Sequence, residues 1–186
     1  MRKTIGLMVA GVLAGCVSDT GSTRASLTGP ELADRISADS PLMPMDDAIA
    51  IATMEAPAGA VLAAVELDIE EDEGPLAWDA LFVVDGTLLE IEVDGVDGTI
   101  LEVEEEGEAK RDPSGYIGVA EARAIATAEF PGFALQVEAE VEEDEEHPHY
   151  DVVIFAEGQE TDFVEVELDA ETGEITEIEF EDAYED

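Results

Sequence analysis

Three blocks of this chain return in the same order further along it. DAIAIATMEAP at residues 47–57 returns as EARAIATAEFP at 121–131, and VELDIEEDE at 65–73 as VEAEVEEDE at 137–145. LEIEVD and GTILEVE at 89–94 and 98–104 return as VEVELD and GEITEIE at 164–169 and 173–179. An acid-rich alternating composition gives one such match by chance, but not three in order. The fold must therefore accommodate two copies of one supersecondary unit.

Each copy has the same grammar. Ala48, Ile51 and Ala52 in the first, and Ala122, Ile125 and Ala126 in the second, fall at helical spacing and make one apolar stripe. Asp46, Asp47 and Glu121 occupy the first turns, where negative charge meets the helix dipole favourably. Pro57 and Pro131-Gly132 end these helices, because proline lacks the amide donor and restricts the residue before it.

Period-two alternation follows: Val65, Leu67 and Ile69; Trp78, Ala80, Phe82 and Val84; Leu89, Ile91 and Val93; then Ile100, Leu101 and Val103. The second copy offers Val137, Ala139 and Val141; Tyr150, Val152 and Ile154; Phe163 or Val164 with Val166 and Leu168; and Ile175, Ile178 and Phe180. Gly98 and Gly173 stand where the turn between the last two strands needs a positive φ. The expected fold class is α+β, with two tandem repeats, each one helix on an antiparallel meander of three or four strands. A single copy is of a size at which one core is marginal, so the two are expected to pack together.

The first line is of another kind. Arg2 and Lys3 precede an apolar run from Ile5 to Ala14, too short for a permanent span, and the stretch reads as a secretory signal. Leu13-Ala14-Gly15-Cys16 resembles the bacterial lipobox, which makes Cys16 the expected lipid-attachment residue. Cys16 is also the only cysteine, so no intramolecular disulfide can form, and lipidation accounts for an unpaired thiol in an exported chain. The alternatives are a plain signal peptide with an incidental cysteine, or an amino-terminal membrane anchor. The resulting organisation is a signal peptide at 1–15, a Ser/Thr/Gly/Asp-rich tether at 16–40, a first domain at 41–108, a charged Gly- and Pro-containing linker at 109–116, and a second domain at 117–186.

Charge narrows the function. With 49 acidic residues against 7 basic ones the chain carries −42, a field that repels nucleic acid and anionic headgroups. Its 46% hydrophobic content nevertheless argues against a disordered acidic tail. The chemical inventory contains no His-Glu-x-x-His, no glycine-rich phosphate loop and no cysteine in the mature domains to serve as a nucleophile. No catalytic residue, cofactor or metal ligand is assigned, and the chain is expected not to be an enzyme.

Two features come nearest to a metal site. His147 and His149 share a face of an extended segment, a pair suited to zinc or copper, but the first copy has Pro75 and Ala77 there and a solvated loop explains them. The carboxylate rows Glu165, Glu167 and Asp169, with Glu174 and Glu177 on the returning strand, lie on a flat ladder. Calcium needs six to eight converging oxygens, so these rows are expected to be the wet side of a sheet. Asp94-Gly-Val-Asp-Gly98 comes closest to a calcium loop and reads as a turn.

The helix that ends in proline, the V-E-x-E strand, the W-D-A-L-F-V-V strand and the stretches EIEVDGVDGTI and EVELDAETGEI together resemble the PepSY domain, in two tandem copies covering most of the mature chain. Trp78 replaces the usual tyrosine, and Pro57 lacks the glycine that follows it in the family pattern. The resemblance implies a secreted or membrane-anchored bacterial protein of the cell envelope, with the family's association with restraint of peptidases. The function expected is a non-catalytic, lipid-anchored envelope protein that binds or restrains another extracytoplasmic protein, a peptidase among the candidates. The rival expectations are low-affinity divalent-cation binding by the acidic surface, or acidity as adaptation to salt alone.

Overall fold

The computed structural model describes residues 42–68, 76–141, 147–156 and 163–181. Helix α1 (Met45–Glu55) follows Pro44 and turns Met45, Ala48 and Ala52 inward. Helix α2 (Val119–Glu129) turns Val119, Ala122 and Ala126 inward at the same spacing. Each ends one residue before the expected proline, at Ala56 and Phe130, whose N–H groups close the last turn on Ala52 and Ala126. The four inward alanines are essentially without exposed surface, so both helices sit close on what lies beneath.

Beneath them is one sheet. Strands β1 (Val61–Asp68), β2 (Ala77–Val84), β3 (Thr87–Asp94), β4 (Ile100–Glu108), β5 (Phe133–Ala139), β6 (His149–Phe155), β7 (Phe163–Asp169) and β8 (Ile175–Glu181) pair in the order β4-β3-β2-β1-β5-β6-β7-β8. Every pairing is antiparallel. The two expected meanders are thus halves of one eight-stranded sheet, joined where β1 meets β5. The junction is short, with Val65 opposite Val137 at its centre. On either side the register slips, at Leu62/Ala64 in β1 and at Ala134/Gln136 in β5, placing a bulge in each joining strand.

Register lays an unbroken apolar row across all eight strands. Val103, Ile91, Ala80, Val65, Val137, Val152, Val166 and Ile178 stand side by side from β4 to β8. The six inner members are fully buried beneath the helices. α1 packs on β1, β2 and β3, and α2 on β1, β5 and β6, so both helices share this face and a single core. The 2.6 Å ion pair from Arg123 of α2 to Asp46 of α1 joins them across their common border.

The outer strands depart from expectation. Leu101, Val103, Ile178 and Phe180 were expected in the core, yet Val103 is 47%, Ile178 39% and Phe180 60% exposed. Eight strands about 4.8 Å apart make a surface about 34 Å wide, and two short helices placed over its centre leave the margins bare. The segment between the halves is not a free linker: Pro113–Gly115 forms a 3-10 turn capped by Asp112, packed on β1, with Pro113 buried.

Candidate interaction surface

The sheet face away from the helices gathers the carboxylates. One row runs Glu102, Glu92, Asp79, Glu66 and then Gln136 across β4, β3, β2, β1 and β5; another runs Glu138, Asp151, Glu167 and Glu177 across β5 to β8. Like charges directly opposite one another on a sheet repel. Only the margins of this face are fully wet. Val83, Leu88 and Val153 are buried there, and the central acids are only partly exposed. Of the rows expected on the wet side, Glu174 and Glu177 are exposed, while Glu165, Glu167 and Asp169 are only partly so.

Burial changes the chemistry of three acids. Asp79 is pushed up to about 8, first by burial and then by Glu90, Asp68, Glu92 and Glu66 around it. Its Oδ1 is buried with no hydrogen-bond partner among the described residues. Glu90 is raised to about 7 by burial and by Glu106, Glu92, Glu104 and Glu102. Glu138 is also raised to about 7, by burial first and then by Glu66, although Gln136 Nε2 donates to its Oε2 at 2.6 Å and opposes the shift. Near neutral pH the middle of this face therefore holds fewer charges than its composition suggests.

Both histidine positions are described. His149 opens β6 on the acidic face, its Nε2 lying 3.4 Å from Asp151 Oδ2. That contact raises the imidazole to about 9 against the effect of burial, with the Glu167 charge adding to it. His147 is exposed, and its carbonyl lies 3.3 Å from His149 Nδ1. His149 is thus bound to a carboxylate as a cation, which opposes metal ligation by the neutral ring. Among the described residues no group of three or more His, Cys, Asp or Glu side chains converges as a metal site would require. Cys16 and the acids Glu142, Glu143, Asp144 and Glu145 lie outside the described residues.

The stretch nearest to a calcium loop is a turn. Asp94 Oδ1 accepts from the N–H groups of Val96 and Asp97, at 2.8 and 3.0 Å. Asp169 Oδ1 accepts from those of Glu171 and Thr172, at 3.1 and 2.8 Å, and from Thr172 Oγ1 at 2.7 Å. The Thr172 bonds hold the Asp169 carboxyl below its ordinary range. Gly98 and Gly173 close these turns at φ +76 and +72, as the sequence requires. The residue after each aspartate accepts from the segment entering a helix: Gly95 O from Met43 N–H, and Ala170 O from Ile117 N–H.

These bonds tie turn, helix entrance and sheet into one scaffold, and the family comparison falls on its second half. Residues 116–179 match the PepSY model, described as the peptidase propeptide and YPEB domain. Residues 116–179 form a PepSY domain. It takes in the entrance to α2, the helix itself, β5, β6, β7 and most of β8. No curated protein matches the chain. A solved structure of a candidate lipoprotein from Clostridium difficile 630 aligns at TM-score 0.44 and 18% identity, over 78% of this chain and 97% of its own.

Two features lie outside the sequence-based expectations, the Arg123–Asp46 pair and the burial of Asp79. The Arg123–Asp46 pair lies beside an open groove bordered by Met45, Thr127 and Phe133, and no local pattern announces that two helices will meet there. The burial of Asp79 does leave a signal. It is the only acid of β2, and the residues two and four places further on its face are Leu81 and Val83.

Proposed function

We propose that this chain is a non-catalytic, lipid-anchored protein of the bacterial cell envelope, built from two copies of a PepSY unit, that binds or restrains another extracytoplasmic protein. The observation that carries the reading is the PepSY domain at 116–179, a class generally regulatory or propeptide-like. A peptidase is the first partner to test. The tandem reading draws support from the ordered sequence blocks and from the like-for-like turns at Asp94–Gly98 and Asp169–Gly173. Export and anchoring draw support from the apolar first line ending at Cys16.

Two experiments test the proposal. Crosslinking and affinity capture of the full-length protein from native membranes should enrich one extracytoplasmic protein reproducibly, and a purified peptidase so found should lose activity when the chain is added. Recovery of no reproducible partner contradicts the binding role. Labelled fatty acid should enter the wild type and not Cys16→Ala; an unlabelled wild type contradicts the anchor.

A further inference from the structure

The sheet ends at β8, and this margin has the features of a docking strand. Among the described residues β8 pairs on one side only, with β7, so half of its backbone hydrogen-bonding groups face outward. On the helix side of this strand Ile178 and Phe180 are exposed, and Phe180 meets Phe130 edge-on with ring centroids 5.8 Å apart. On the other side Glu177 and Glu179 are exposed. The pairing with β7 shifts register once, between Ile175 and Glu177, and then runs without a shift from Glu177 to Glu181. β4, at the opposite margin, is interrupted by two register shifts and by Gly107 at φ +150, devices that blunt an edge against pairing.

We propose that β8 receives an extended segment of another protein as a ninth strand, and that in this segment lysine or arginine alternates with large apolar residues. Side chains of an added strand alternate between faces, so one set lies beside Ile178 and Phe180 while the other lies beside Glu177 and Glu179. Opposite charges facing each other across strands stabilise the pairing and like charges destabilise it. A second copy of this chain, paired through its own β8, would bring carboxylates against carboxylates within a −42 field, so the cationic segment is the occupant that fits. The inference rests on the binding role proposed above and names the chemistry of the partner.

The test titrates the full-length protein at low salt with an eight-residue peptide of alternating Lys and Val, following heat and amide exchange. Saturable binding with new amide protection at residues 176–180 is expected. Methylating alternate peptide nitrogens along one edge should abolish binding while leaving every charge in place. A peptide with its four lysines grouped before its four valines should bind at least about tenfold more weakly, because only alternation presents both faces. Glu177→Lys with Glu179→Lys should weaken the alternating Lys peptide and admit an alternating Glu/Val one.

Equal binding of the methylated or grouped peptide, protection confined to β4, or a β8-dependent dimer of the chain each overturns the proposal. Partner capture separates the two claims. If Phe180→Ser and the double Lys variant still capture the partner as the wild type does, the β8 assignment fails and the binding role stands. If the peptide docks on β8 as described but membranes yield no partner, the β8 assignment stands and the binding role fails.

Discussion

A β-carbon on Gly98 would lie 2.7 Å from Cδ1 of Ile51 in α1, and one on Gly173 would lie 2.7 Å from Cδ1 of Ile125 in α2. Each glycine thus serves two ends, a positive φ that other residues adopt with strain and a close seat for the helix over the turn. Gly98→Ala and Gly173→Ala should each destabilise the protein by about 1–3 kcal/mol. Shortening the facing isoleucine in the second case, as Gly173→Ala with Ile125→Val, should recover the packing part of the loss and not the backbone part. Urea midpoints for the two single variants and the double variant would show this.

Stability should fall as pH rises. Asp79 has its folded pKa raised to about 8, so the folded state holds that proton more tightly than the unfolded chain. Between about pH 4 and pH 8 the folded state binds more protons, and stability declines across that window. His149, raised to about 9, contributes stability that is complete below about 6.5 and lost as pH passes through 9. Both effects have the same sign. Asp79→Asn should raise stability at pH 8 by roughly 1–3 kcal/mol and flatten the profile between pH 4 and 8. His149→Asn should lower stability at pH 6 and change little at pH 10. Thermal melts in a single buffer series would measure both.

Added salt should stabilise the fold. The Debye length falls from about 30 Å at 0.01 M to about 3 Å at 1 M, which relieves the self-repulsion of a −42 chain. Sodium and calcium at matched ionic strength should therefore act alike, apart from modest extra condensation of the divalent ion. Calorimetric melting with each salt would check this. A saturable rise in midpoint at micromolar calcium would instead indicate a specific site.

Much of this was legible in the sequence because the signals are local. Ala48 with Ala52, and Ala122 with Ala126, mark the helix faces, the prolines mark the ends, and Gly98 and Gly173 mark the turns. Alternation likewise gives each strand its two faces. It does not say which strands are neighbours, since any edge with the right period can pair with any other. That is why the junction of Val65 with Val137 was not legible, nor the exposure of Val103 and Ile178 at the ends of the same row. Leu88 shows a related limit. It lies opposite Val83 on the acidic face and is nevertheless buried, because burial there depends on what crowds the face and not on the period. Of the site itself, the sequence names the acidic rows and offers Cys16, outside the described residues, as the proposed anchor, while the edge of β8, unpaired among the described residues, emerges only from the order of the strands.

Every surface described here exists because β1 and β5 close two halves into one sheet, and the single tryptophan allows that to be measured directly. Trp78 of β2 donates from Nε1 to Met43 O at 3.0 Å, and its ring lies tilted against that of Phe133 of β5 across the junction, centroids 6.1 Å apart. Leu168 of β7 is fully buried in the other half, and Leu168→Ala should cost about 2–5 kcal/mol. Urea unfolding followed by Trp78 fluorescence and by far-ultraviolet circular dichroism should give coincident midpoints in the wild type, and in Leu168→Ala both should move down together. A Trp78 midpoint that stays in place while the dichroism splits into two transitions would contradict a single sheet that folds as one unit.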